Sequence, residues 1–98
     1  MLPAYKHLVK FCLNKGHIIS VYDGGDWPVV RSDRYRDIIE AIEAVEEASI
    51  YIRLSDSEHL LGTAYVIPFG LEPDETVVDY SGEFMDAWNE SYDSFCLE

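Results

Sequence analysis

After Arg36 the chain nearly runs out of positive charge: between Asp37 and Glu98 sixteen acidic residues face a single base, Arg53. A field of that sign repels nucleic acid, anionic lipid and phosphorylated substrates, and it attracts basic surfaces. Cysteine is equally scarce. Cys12 and Cys96 stand at opposite ends without Cys-x-x-Cys or Cys/His spacing, so a metal framework has no support. A bridge between them is possible but unforced, and each reads more simply as a small apolar residue. No run approaches the ~18 apolar residues that a membrane span requires, and Met1 to His7 lacks the apolar stretch of a secretory signal. The expectation is a cytoplasmic protein.

What is present suits one domain over residues 1–98: 48% hydrophobic residues, a net charge of −12, and that charge unevenly placed. Residues 1 to 36 carry six bases (Lys6, Lys10, Lys15, Arg31, Arg34, Arg36) and only three acids. Basic and acidic halves therefore follow one another along the chain.

Pro3 to Lys15 predicts a first helix, with Leu2, Tyr5, Leu8, Val9, Cys12 and Leu13 at three- and four-residue spacing and Gly16 as its C-terminal cap. His17 to Tyr22, the turn Asp23-Gly24-Gly25, and Asp26 to Arg31 predict a hairpin. Pro28 cannot donate a ladder hydrogen bond, so the second arm is an edge strand or is broken there. Ser32 or Asp33 then caps a helix to about Ala48, with Tyr35, Ile38, Ile39, Ile42 and Val45 as its apolar stripe. Ser49 to Leu54, the polar turn Ser55-Asp56-Ser57-Glu58, and His59 to Ile67 predict a second hairpin. From about Val78 to Phe95 helical spacing returns through Phe84, Trp88, Tyr92 and Phe95; alternatively Ser81-Gly82 is its cap and Val77 to Tyr80 a short extended piece. The order αββαββα predicts an α+β fold: a four-stranded antiparallel sheet from two hairpins, with about three helices on one face.

Catalytic patterns are thin. His7, His17 and His59 fall on different elements without a triad or metal spacing, and Asp56, Glu58 and His59 are explained by a turn. Asp23-Gly24-Gly25-Asp26 lacks the ligand alternation and closing Glu of a calcium loop. No cofactor, metal or enzymatic activity is expected.

Acids supply the more specific pattern. Asp79, Glu83, Asp86, Glu90 and Asp93 follow intervals of four, three, four and three, which sets them on one helical face if the last helix includes Asp79. The second helix adds Asp37, Glu40, Glu43, Glu46 and Glu47. Such a surface offers carboxylates at roughly 5 Å steps along a helix, within a factor of two of the phosphate spacing of DNA. The partner-binding candidates are Asp79, Glu83, Asp86, Glu90, Asp93, Glu40, Glu43 and Glu47. A polar face that merely keeps an amphipathic helix in solution accounts for the same residues.

Two phrases carry a resemblance: Val21-Tyr22-Asp23-Gly24-Gly25-Asp26-Trp27 running through Arg31-Ser32 into the Ile38 to Glu47 helix, and Leu71 to Tyr80 followed by Phe84-Met85-Asp86-Ala87-Trp88. They resemble small acidic proteins of tailed bacteriophages. The resemblance implies a host-takeover or anti-defence context, in which such proteins disable host nucleases or restriction enzymes, some by imitating DNA. It implies no particular site residue.

The function expected is an acidic inhibitor that occupies a basic surface of a host nucleic-acid-handling or defence protein. The alternative is a homodimeric or adaptor module acting through aromatic surface, with Trp27, Tyr65, Phe69 and Trp88 as its contacts. Either way, the crowded acids repel one another in the folded state, so screening them stabilises it. The melting temperature is expected to rise from low to moderate salt. A fall on adding salt would mean that attractive pairs outweigh the repulsion.

Overall fold

The computed structural model describes residues 2–57 and 59–97, with the side chains of 96 and 97 left aside. Along the chain run α1 (Ala4–Asn14), β1 (Ile18–Tyr22), β2 (Val29–Ser32), α2 (Tyr35–Glu43), β3 (Ala48–Arg53), β4 (Leu60–Val66), a 3-10 turn at Pro73–Glu75, β5 (Val77–Ser81) and α3 (Glu83–Leu97). The α+β class and three helices agree with expectation. The sheet, however, has five strands among the described residues, so the order is αββαβββα.

The additional strand is the short extended piece at Val77. β4 has a free edge after pairing with β3, and β5 fills it antiparallel, with Tyr65 opposite Asp79 and Thr63 opposite Ser81. Strand order is β2-β1-β3-β4-β5, every neighbour antiparallel. β2 is an edge strand that starts just after Pro28, as a proline without an N–H requires.

Period-two alternation decides the layering. Ala48, Ile50 and Ile52 of β3 are buried, and register sets Ile50 between Val21 and Ala64, and Ile52 between Ile19 and Gly62. These residues share one core with Leu8, Val9 and Cys12 of α1, Ile38 and Ile42 of α2, and Met85, Trp88 and Tyr92 of α3. All three helices thus cover one face of the sheet. The opposite face, carrying Tyr22, Tyr51 and Tyr65, has no helix on it among the described residues.

Local chemistry explains the element ends. Gly16, at φ 83°, closes α1 with a paired bonding pattern: its N–H donates to Leu13 O, and His17 N donates to Cys12 O. The N-terminus of α1 has no side-chain cap of its own. Thr76 Oγ1, 71 residues away, accepts from Tyr5 N at 3.2 Å and donates to Pro73 O at 3.0 Å. A buried threonine therefore ties the β4–β5 connection to the first helix.

The second helix is shorter than predicted, ending at Glu43 instead of running to about Ala48. Val45 still packs on the core from outside the helix, which is why its apolar stripe looked longer. Neither Ser32 nor Asp33 is the cap: Arg34 occupies that position, and Ser32 Oγ accepts from Arg34 N at 3.0 Å. The last helix starts at Glu83, just after Ser81-Gly82 and not near Val78, in line with the alternative start, because Val77–Ser81 are committed to β5.

α3 crosses β4 at the one place where the strand has no side chain. A Cβ on Gly62 would sit 2.7 Å from Met85 Cγ and 2.9 Å from Ser81 O. Gly82, at φ 113°, would bring a Cβ to 2.5 Å from Leu61 O. We expect Gly62→Ala and Gly82→Ala each to destabilise the fold by about 1–3 kcal/mol through overpacking and backbone strain, measured by urea unfolding. Gly24→Ala, with φ 101° but open space around it, is the comparison, because it isolates the conformational part of the cost.

Candidate functional site

The acids expected to act together are divided between two sides of the molecule. Glu83, Asp86, Glu90 and Asp93 lie exposed on α3, opposite its buried Met85, Trp88 and Tyr92. Among the described residues none of these four carboxylates is ion-paired; the pair formed is Lys6 Nζ with Glu43 at 3.5 Å. Asp79 is not on this helix. It belongs to β5, beside Tyr65, on the helix-free face of the sheet, and its Oδ1 accepts from Tyr80 N at 2.8 Å. The ladder on α3 therefore has four rungs rather than five.

The second acidic face is also broken up. Glu40 stays exposed on α2, near Asp37 along a groove with Val29 and Ser32. Glu43 is half-buried and engaged from two sides, by Lys6 and by the Tyr5 hydroxyl, which donates to its Oε2. Burial first, and that carboxylate second, push the Tyr5 phenol well above its usual range. Glu47 has left the helix and sits before β3, where Tyr65 OH donates to it. This hydrogen bond raises the Tyr65 phenol above its ordinary pKa.

The helix-free face carries aromatic residues in contact. Trp27, 46% exposed, packs between Tyr22 and Tyr51 with ring centroids at 4.9 and 5.1 Å, and Arg53 lies 5.7 Å from the Tyr51 ring. The turn before Trp27 is held by Asp23, whose Oδ1 accepts from Gly25 N at 3.0 Å and Asp26 N at 2.7 Å. These backbone donors hold the Asp23 carboxyl below its usual range. The Asp-Gly-Gly-Asp sequence is thus occupied with making a turn.

One residue on this face is strained. Val30 and Arg31 together oppose the single residue Ser20, a β-bulge, and Arg31 adopts φ 52°, the left-handed region that normally suits glycine. Buried Ser20 Oγ accepts from Arg31 N at 2.9 Å and stabilises the bulge, while Arg31 Nη2 donates to Ser57 O at 3.1 Å. The bulge brings Arg31 to a groove it shares with Ser20, Trp27, Val30 and Arg53. Tyr22, Tyr51, Arg31 and Arg53 were not named as contacts from sequence. The outward phase of β1 and β3 could have supplied the tyrosines, but nothing local announces the bulge.

Trp88 corrects the aromatic expectation. It is 2% exposed, stacks on Tyr92 with centroids 5.7 Å apart, and its Nε1 donates to His7 Nδ1 at 3.1 Å. Phe69 is exposed, and Tyr65 is partly so. Cys12 is a free buried thiol, pushed up to about 12 by desolvation; the side chain of Cys96 and all of Glu58 lie outside the described residues. Among the described residues no three His, Cys, Asp or Glu side chains gather as a metal site would require, and no helix is long and apolar enough to cross a membrane. No family model, curated protein or solved structure matches this chain.

His7 and His17 are packing residues, whereas His59 is exposed. His7 is flanked by Tyr92 and Phe95, each at 5.1 Å, and His17 meets the Phe84 ring edge-on at 5.0 Å. Desolvation first, and then Lys10 or Lys15, hold both imidazoles below their ordinary pKa. A folded pKa below the unfolded one means that the folded state binds fewer protons. Their contribution is complete above the unfolded value of about 6.5 and is lost as pH falls below it. We expect His7→Gln, which keeps an acceptor for Trp88, to lose stability less steeply than the parent between pH 7 and pH 5 in urea unfolding. Parallel profiles would remove His7 as a source of the acid sensitivity.

Proposed function

We propose that this chain is a binding protein, a phage-type inhibitor whose acidic helical surface occupies a basic groove of a host nucleic-acid-handling or defence protein. The observation that carries the reading is the outer face of α3: Glu83, Asp86, Glu90 and Asp93, all exposed and without an ion pair among the described residues. Like charges at three- and four-residue intervals cost a helix a few tenths of a kcal/mol per pair. A partner that supplies lysines and arginines converts that repulsion into attraction and steers encounter over a Debye length.

α3 is suited to presenting these groups because its other side is anchored. Met85 sits over Gly62, and Trp88 is held by His7, so the carboxylates project from a fixed helix. Glu40 on α2 is exposed but lies on the other side of α1 from α3, and Glu43 is engaged within the molecule. The compartment in this reading is the host cytoplasm.

The test is affinity capture from a host lysate with the parent and with an E83K/D86K/E90K variant, followed by mass spectrometry. The parent is expected to enrich a basic nucleic-acid-binding protein, released by moderate salt, and the variant to lose it while keeping its circular dichroism spectrum. Equal recovery by the folded variant would overturn the reading.

A further inference from the structure

The helix-free face of the sheet is the other surface of this molecule, and it is built unlike the acidic helix layer. Trp27, Tyr22, Tyr51 and Tyr65 occupy it, with Ser49 and Thr63 between them and two arginines, Arg31 and Arg53, toward one corner. Tryptophan, tyrosine and arginine are the residues enriched where proteins meet, and lysine and glutamate are depleted there.

Charge on this face is arranged along a diagonal. Arg31 belongs to edge strand β2, opposite Ser20 at the middle of β1, and its Nη2 reaches Ser57 O in the turn beyond Arg53, which ends β3 where it pairs with Ile18. Asp79 belongs to the other edge strand, β5, and Glu47 precedes β3, both toward the end where Tyr22 pairs with Ser49. Glu47 also shares a groove with Tyr22, Asp23 and Tyr65. One corner is therefore basic and the opposite corner acidic.

We propose that two copies of this chain associate through these faces about a two-fold axis lying between the sheets. An axis perpendicular to the charge diagonal sets the Arg31 and Arg53 corner of each copy against the Asp79 and Glu47 corner of the other. The contact is self-complementary, as an isologous interface must be. The net charge of −12 opposes association at low ionic strength, and screening within about a Debye length together with the matched corners offsets it. With sheets about 10 Å apart and a helix layer about 10 Å beyond each, the two α3 helices stand about 30 Å apart, roughly three Debye lengths.

Size sets the strength of the association. Five strands at about 4.8 Å spacing and about 20 Å length make a face near 400 Å² in projection, against the roughly 800 Å² per partner of a stable complex. The dimer is accordingly weak and reversible, forming between micromolar and millimolar concentration. This inference does not rest on the role given to α3.

Sedimentation of the full chain over that range tests it. The parent is expected to shift from monomer to dimer, and the R53E and D79R variants, each with an unchanged melting profile, to remain monomeric. An equimolar mixture of the two variants is expected to regain the dimer, since each reversed corner then meets its opposite. If R53E does not fold, Thr63→Lys in the middle of the face replaces it and is expected to abolish the dimer. A parent that stays monomeric at millimolar concentration overturns the proposal, as does a folded R53E or T63K variant that dimerises like the parent. A monomeric mixture overturns it too. Amide changes at Glu83, Asp86 and Glu90 are expected to leave the dimer intact, which separates this result from the α3 reading.

Discussion

The strict alternation of β3 and β4 is the constraint on which the rest depends. Because Ala48, Ile50, Ile52, Ala64 and Val66 all point to one side, only one side of the sheet is apolar enough to bury. Three amphipathic helices must share it. α1 takes the middle of that layer and touches both α2 and α3, and the Thr76 hydroxyl secures its first turn from the far end of the sequence. Slipping β3 by one residue would exchange Ile50 for Tyr51 and leave the helices against a polar, aromatic surface.

The charge asymmetry gains a geometric meaning from this layering. The four acids of α3 are turned outward by the burial of Met85, Trp88 and Tyr92, so the side of the helix away from the sheet becomes acidic. Of the bases, Lys10 and Lys15 lie over the rings of Tyr35 and Phe11, at 5.3 and 5.4 Å, and Lys6 pairs with Glu43. None of these three neutralises α3. Exposed pairs are worth little in any case, so the surface charge bears on encounter and solubility more than on the fold.

Much of this arrangement was legible in the residue pattern. Helical spacing located α1 and α2, the Asp-Gly-Gly and Ser-Asp-Ser turns located both hairpins, and Pro28 marked an edge strand. The strand at Val77 was harder to see because its burial alternates poorly: Val78 and Asp79 are both exposed, and only its pairing with β4 makes it a strand. Asp79 also fits the interval pattern of the acids on α3, which made the helix look longer than it is. Periodicity cannot detect such an overlap, since a free sheet edge is a tertiary feature. The two tryptophans divide for a related reason. Trp88 stands one helical turn from both Phe84 and Tyr92 and inherits their inward phase, whereas Trp27 lies between a turn and Pro28, where no periodicity assigns it a side.

Strain at Arg31 links the two surfaces to the fold. A left-handed arginine costs about 1–2 kcal/mol relative to an ordinary strand residue, and glycine would avoid most of that cost. Glycine would also remove the guanidinium. The bulge lets β2 present Arg31 beside Trp27 and Arg53 while Ser20, buried beneath it, satisfies its N–H. Without a bulge, the alternation of β2 would send residues 30 and 31 to opposite sides of the sheet, and only one could lie over Ser20. A strained residue next to an exposed tryptophan, on a face with no helix over it, is where a fold otherwise governed by burial departs from its own local preferences. That departure sets the sheet face apart from the helix layer: the acids of α3 follow from amphipathic packing, whereas the bulge at Arg31 does not.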